Sequence, residues 1–325
     1  MPAVETVRGP VDVDDLGQTL MHEHVFVLSP EHIDNYGRGA WWDEEHRVAD
    51  AITKLRALAA KGVGTIVDPT VWGLGRYIPR IQRIAAEVPD LNIIVATGLY
   101  SFDDVPFQYL HRGPGQLLDV PEPMVLDFMR DITEGIADTG VKAAFLKCAV
   151  EERGLTPGVE RICRAVAQVH GMTGVPITVH TNAFTEAGLA TVDLFAKTDV
   201  DMTKVVLGHS GDSNDLDYLM RLADTGATLG MDRFGLDVFN PTAARVDTIA
   251  SLCARGYADR IVLSHDSACF MDYFGGAWDL ALAQAAPNWH FGHIHDDVLP
   301  ALREKGVTDD QIHQMLVDNP RRHFS

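Results

Sequence analysis

A barrel of eight parallel strands wrapped in helices is the fold this sequence predicts, on three observations. Short apolar runs alternate with helical patterns along all 325 residues, and the runs number eight. They lack the polar alternation of a strand with one wet face, so both faces must be covered, as in a parallel sheet under helices. No glycine-rich nucleotide loop follows the first run, which disfavours the rival open doubly wound sheet. Closure at eight strands gives a (β/α)8 TIM barrel, expected as a single domain over residues 1–325 with no linker, and places chemistry at the carboxyl ends of the strands.

The elements follow in order. Val4 to Val13 alternates around Gly9-Pro10 and reads as a hairpin lid. The first barrel strand carries His22 and His24. Val48, Ile52, Leu55 and Leu58 recur at helical spacing up to Gly62, and Gly64 to Asp68 is the second strand, ended by Pro69. A helix through Ile78, Ile81, Ile84 and Val88 leads to the strand Asn92–Thr97. After a Pro/Gly-rich loop (112–123), a helix through Phe128, Ile132 and Ile136 precedes the strand Val141–Lys147. Thr156 and Pro157 are the cap and first-turn proline of the next helix, before the strand Pro176–His180. Lys204–His209, Ala227–Asp232 and Arg260–Asp266 supply strands six to eight, separated by helices near 216–222 and after Asn240-Pro241. Asp296 to Arg303 and the capping box Thr308-Asp-Asp-Gln311 close the chain with helices.

Composition narrows the function classes. A net charge of −19 disfavours nucleic acid and anionic membrane surfaces and leaves a small-molecule substrate. The four cysteines, Cys148, Cys163, Cys253 and Cys269, form no close pair, so a zinc ribbon or disulfide framework is not expected. The first residues lack a basic start and an apolar signal core, and no run reaches membrane-spanning length, which points to a cytoplasmic protein.

Polar residues end the strands: His22 and His24, Lys147, His180, His209 and Asp266. In Met21-His22-Glu23-His24 the strand period puts both imidazoles on one face and Glu23 on the other, forming either a two-nitrogen chelate or a pair of buried, bonded histidines. A lone strand-end histidine is ordinarily a satisfied core residue; several on separate strands, aimed at one mouth, point to metal. Of His265 and Asp266 only one can face inward, and Asp266 suits a hard cation and proton transfer. Lys147 is either a lysine paired with a carboxylate or, with its pKa lowered by burial and nearby cations, an amine able to capture carbon dioxide as a carbamate. His293-Ile-His295 is a rival chelate, but it runs into a helical pattern, where i and i+2 do not face each other.

The pieces TLMHEHVF, GLGRYIP, ATGLY, LKCA, PITVHT, GHSGD, MDRFG, LSHD, PNWH and VDNPRR, in this order over nearly the whole chain, resemble the phosphotriesterase-like lactonases of the amidohydrolase superfamily. That resemblance implies two divalent cations, zinc foremost with cobalt, manganese or iron as other occupants. It implies that His22, His24 and Asp266 hold the more buried ion and His180 and His209 the more exposed one, with carboxylated Lys147 (N6-carboxylysine) and a hydroxide bridging both. Asp266 would take the proton released on attack, Tyr100 and Arg233 would flank the substrate, and the protein would be a homodimer.

Substrate choice is expected in the loops after strands seven and eight, where Phe234, Phe239, Phe270, Met271, Tyr273, Phe274 and Trp278 surround Gly275-Gly276. So many aromatics suggest an apolar channel, with Phe270 and Trp278 among its contacts; a loop packed on itself or a dimer contact is the alternative. The expected activity is hydrolysis of N-acyl-homoserine lactones and related lactones (quorum quenching), with promiscuous attack on organophosphate triesters. The alternatives are a phosphotriesterase proper, a carboxylester or amide hydrolase, and a lactone-binding protein without turnover.

Overall fold

A computed structural model describes residues 2–325. Eight parallel strands form the barrel: β1 (Gln18–Leu20), β2 (Val63–Asp68), β3 (Asn92–Gly98), β4 (Phe145–Val150), β5 (Ile177–Thr181), β6 (Val205–Gly208), β7 (Thr228–Met231) and β8 (Ile261–Leu263). Each pairs with the next in sequence from β1 to β8. Seven crossover helices, α1 (Glu44–Ala59), α2 (Ile78–Glu87), α3 (Pro123–Thr133), α4 (Pro157–Thr173), α5 (Ala187–Phe195), α6 (Leu216–Ala223) and α7 (Thr242–Ala254), cover the outside.

Strand alternation builds two cores. In β3, Ile93 and Val95 face the helices while Ile94 and Ala96 face the barrel interior, and in β4 Leu146 and Cys148 face out while Phe145 faces in. The same alternation turns Lys147 inward, one layer above Phe145.

The structure departs from the sequence expectations at identifiable places. The hairpin Ala3–Thr6/Gly9–Asp12 is not a lid over the site. Val4 and Val13 join Leu16, Val206, Val262 and Phe324 in the interior core, and Val7 N–H bonds Ile93 O at the start of β3, so the hairpin plugs the amino-terminal end. The strand expected from Val141 begins at Phe145. Ile136 N–H bonds Val141 O and Ala143 N–H bonds Asp131 O, which commits that backbone to the end of α3.

The first strand is broken. β1 stops at Leu20, and His24–Val27 pairs instead with Ala268–Met271 as a short parallel extension above the barrel. His293-Ile-His295 binds nothing jointly. His293 bridges Asp297 (2.8 Å) and Thr242 Oγ1 (2.9 Å), buckling α7 to the C-terminal helices, while His295 bonds Gln18. Where local chemistry dominates, the expectations hold: Thr156 accepts from Val159 N–H, and Thr308 with Gln311 makes the capping box.

Candidate metal centre

The strand ends bring His22, His24, Lys147, His180, His209 and Asp266 together at the carboxyl mouth, all buried. Asp266 Oδ1 lies 3.4 Å from His22 Nε2 and 3.3 Å from His24 Nε2, and Lys147 Nζ is 3.4 Å from His22 Nε2. His209 Nε2 is 2.9 Å from His180 Nδ1. Glu23 points away from this cluster and His265 faces outward, as expected, although both lie outside the regular strands.

The far nitrogen of each imidazole is bonded outward. Asp232 Oδ2 accepts from His22 Nδ1 and Oδ1 from His209 Nδ1, both at 3.0 Å. Thr70 Oγ1 donates to Asp68 and so accepts from His24 Nδ1 (2.7 Å), while Glu151 Oε1 accepts from His180 Nε2 (2.6 Å). These bonds fix the tautomers and leave one lone pair of every ring facing the centre. His180 Nδ1 and His209 Nε2 therefore confront each other lone pair to lone pair, an arrangement that is repulsive by itself and that a shared cation relieves. The residues therefore fit a metal centre.

The donor atoms of His22, His24 and Asp266 lie within 4.8 Å of one another, as do those of His22, His209 and Asp232. The second group is the bracket behind the ligands, because Asp232 meets Nδ1 atoms that carry protons.

Electrostatics agree. Burial pushes His22 and His209 below the usual histidine range and His180 down to about 4, keeping their lone pairs free at neutral pH. Burial also lowers Lys147 to about 8. His24 is the exception: burial lowers it, but the carboxylates of Asp266 and Asp68 outweigh burial and raise it to about 9. The carboxylate that holds a proton there is the one that would hold an ion. Burial raises Asp266, but His209, His22, His24 and Arg233 together hold it well below the carboxylate range.

Tyr100 and Arg233 both reach the site. The Tyr100 hydroxyl donates to His180 Nδ1 (3.1 Å), and burial raises its pKa, so it remains a phenol. Arg233 donates from Nε to Asp266 (2.9 Å) and from Nη1 to Asp212 (2.9 Å), and Asp212 is in turn held by Arg245 (2.6 Å).

A cavity of about 350 Å³ opens onto the cluster, walled by Leu74, Leu236, Phe239, Met271, Phe274 and Trp289 among others. Phe270 and Trp278 are not in that wall, contrary to expectation. Ala268–Met271 is an extended strand, so Met271 faces the cavity and Phe270 the opposite side, where it packs on Trp42 and under the Arg47 guanidinium (3.9 Å). Trp278 is buried between Phe270 and Phe274, and Phe234 is also fully buried behind the wall.

Sequence reasoning missed Asp232, Asp212, Glu151 and the Asp68–Thr70 pair. Asp232 directly follows β7 as His209 directly follows β6, which was its one available signal; the other contacts join residues distant in sequence. Two glycines give Asp232 its space: a Cβ on Gly230 would lie 2.5 Å from its Oδ2, and one on Gly208 3.2 Å from the same atom.

Comparisons with known proteins agree with this geometry. The solved structure of the phosphotriesterase from Mycobacterium tuberculosis superposes with a TM-score of 0.96 at 56% identity, covering 100% of this chain and 98% of that one. Another solved structure, described as organophosphate hydrolysis activity engineered from a weak promiscuous lactonase template, gives 0.89 at 33% identity, covering 99% and 100%. The aryldialkylphosphatase of Saccharolobus solfataricus is 36% identical over 98% of both chains. A family model described as the phosphotriesterase family matches residues 2–324, and this chain, a metal-dependent hydrolase with an α/β barrel fold, belongs to that family.

Proposed function

We propose that this enzyme is a lactonase that opens N-acyl-homoserine lactones and related lactones, with slower hydrolysis of organophosphate triesters. The observation that carries the reading is the apolar cavity opening directly onto the strand-end cluster, with room for an acyl chain beside a small polar ring. The solved relative described as a lactonase template supports it.

In this reading His22, His24 and Asp266 would hold one divalent cation and His180 and His209 a second. Neutral Lys147 would add carbon dioxide at Nζ, releasing a proton and becoming the carbamate that joins them. Two such cations lower the pKa of water and polarise the scissile carbonyl or phosphoryl oxygen. The remaining work falls to side chains. As water oxygen bonds to the lactone carbonyl carbon, Asp266 takes its proton; when the ring C–O bond breaks, Asp266 returns the proton to the departing oxygen. Arg233, anchored by Asp212, keeps that carboxylate oriented and ionised. With His180 Nδ1 given to a cation, the Tyr100 phenol that donates to it here would be free to donate to the substrate oxygen, while Phe239, Met271 and Phe274 would contact the acyl chain.

The test compares kcat/KM for an acyl-homoserine lactone, followed by the titratable proton released on ring opening, with kcat/KM for paraoxon on the same preparation. A large preference for the lactone is expected; a large preference for paraoxon would establish the second reading, a phosphotriesterase, which the aryldialkylphosphatase relative favours. Residues 1–325 are proposed to act as one domain and as a homodimer, which sedimentation at assay concentration reads directly. Among the described residues no helix is long and apolar enough to cross a membrane.

A further inference from the structure

Four non-glycine residues among those described have a left-handed backbone, and two of them, His209 (φ 65°) and Asp266 (φ 55°), belong to the candidate centre. Such a conformation is unfavourable for a side chain with a Cβ and persists where surrounding bonds impose it. For His209 the imposing group is plain: its own N–H donates to Asp232 Oδ1 (2.7 Å), the carboxylate that also holds its ring.

For Asp266 the bonds converge on Glu23, the residue between the paired histidines. The Glu23 carboxylate is fully buried. Its Oε1 accepts from Ser264 Oγ (2.8 Å), His265 N–H (2.9 Å) and His265 Nδ1 (2.6 Å), and its Oε2 accepts from Ser267 N–H (3.0 Å). The backbone donors on both sides of Asp266 thus point at one anion, while the N–H of Asp266 bonds His22 O (3.0 Å). Successive N–H groups around a left-handed residue form a concave nest for an anion, and here the anion is a side chain of the neighbouring strand.

The same contacts join the barrel where no regular ladder does. β1 and β8 are the two ends of the sheet order, and Ser264 links them further by accepting from His22 N–H (2.9 Å) while donating to Glu23. His265 is held from outside as well: its Nε2 accepts from Ile294 N–H (3.0 Å), and its carbonyl accepts from Trp289, a cavity-wall residue (2.8 Å).

We propose that Glu23 is a positioning residue for hydrolysis: its carboxylate, seated in the nest of residues 265–267, imposes the left-handed turn that aims Asp266 at the metal centre while joining the last strand to the first. The inference rests on Asp266 being a metal ligand and proton acceptor. Substituting Glu23→Gln keeps the size but replaces one accepting oxygen with a donor that faces other donors.

The test uses full-length protein loaded with cobalt(II), whose visible absorption reads ligand geometry, alongside steady-state lactone hydrolysis. Glu23→Gln is expected to change the cobalt spectrum and to lower kcat about 10–100-fold with KM within about twofold. Glu23→Asp, which keeps the charge but draws the carboxylate back by one methylene from all four donors, should change both in the same direction by less, and it carries the test if Glu23→Gln does not fold. Asn319→Ala is the control: Asn319 ties down the opposite end of β8 through Ala258 O and Ile261 O, so its loss weakens the strand without touching the nest. A wild-type spectrum and kcat in both the Glu23→Gln and Glu23→Asp proteins, or the same changes in Asn319→Ala at an equal loss of thermal stability, would overturn the proposal. Asp266→Asn separates the two levels. If it leaves the cobalt spectrum unaltered, the reading of Asp266 as a ligand fails; if it alters the spectrum and Glu23→Gln does not, only the role of Glu23 fails.

Discussion

Replacing Asp232 should weaken the metal positions although Asp232 would touch neither ion, at least one of them with asparagine and both with alanine. Its two carboxylate oxygens hold His22 Nδ1 and His209 Nδ1 at 3.0 Å each, and one of them also accepts the backbone N–H of His209. Asparagine offers one accepting oxygen and an NH2 that cannot accept from a ring N–H. At least one imidazole must then turn or move its proton to Nε2, which removes the lone pair from the centre. Loss of one such outer bond to a ligating histidine typically costs about 10–100-fold in metal affinity, or ~1.4–2.8 kcal/mol. Asp232→Ala loses both anchors, for about 10²–10⁴-fold, and leaves the buried His209 N–H unpaired at a further ~1–3 kcal/mol of fold stability. Equilibrium competition against a chromogenic chelator measures the affinities, and circular dichroism confirms that the variants are folded. In the proposed assignment His22 serves one ion and His209 the other, so both affinities must be affected in Asp232→Ala, whereas His24→Ala weakens one. Affinities within about threefold of wild type in a folded Asp232→Ala protein would refute the argument that this carboxylate orients the ligands.

Lys147→Ala should lose bound metal, with partial recovery of metal and turnover when short carboxylic acids are added to stand in for the carbamate; full metal occupancy without any additive would contradict the bridge. Phe239→Ala and Phe270→Ala should separate wall from core. The first raises KM for long-chain lactones with little change in melting temperature, and the second costs ~3–5 kcal/mol of stability, because Phe270 is fully buried behind the wall; a KM effect confined to Phe270→Ala would reverse that placement. The pH dependence of stability should include His323, whose ring nitrogens bond no described residue and which burial, then Lys204, Arg322 and His170, lower to about 3. The unfolded chain takes up that proton near pH 6.5 and the folded chain does not until about pH 3, so stability falls as pH drops through this window, by ~2 kcal/mol at pH 5. Urea unfolding at pH 7.5 and pH 5 should show this loss in wild type and a smaller one in His323→Leu; equal losses would remove His323 from the account.

Much of the barrel was legible because its signals are local. An apolar run that stops at a polar residue marks a strand end, and Thr156-Pro157 or Thr308-x-x-Gln311 marks a helix start wherever it occurs. That Lys147 and His180 share one mouth with the other strand-end residues followed from the barrel alone. Other features were hidden because they depend on pairings between distant segments. The cavity face of the loop after β8 is set by the register of Ala268–Met271 against His24–Val27, which places Phe270 outside and Met271 inside. The break after Leu20 likewise depends on Met21 and His22 bonding to residues 263 and 264. The groups behind the candidate ligands were invisible for the same reason. Asp232 meets His22 across 210 residues and Glu23 meets His265 across 242, and an aspartate or glutamate in a strand carries no local mark of such a partner.

A count of metal ions tests the binuclear centre. Elemental analysis of freshly purified, lactone-hydrolysing protein should give two divalent ions per chain, and stripping them should abolish turnover, with addition of the ions restoring it. Undiminished lactone hydrolysis by protein freed of divalent ions would show that this strand-end cluster is not a binuclear hydrolytic centre.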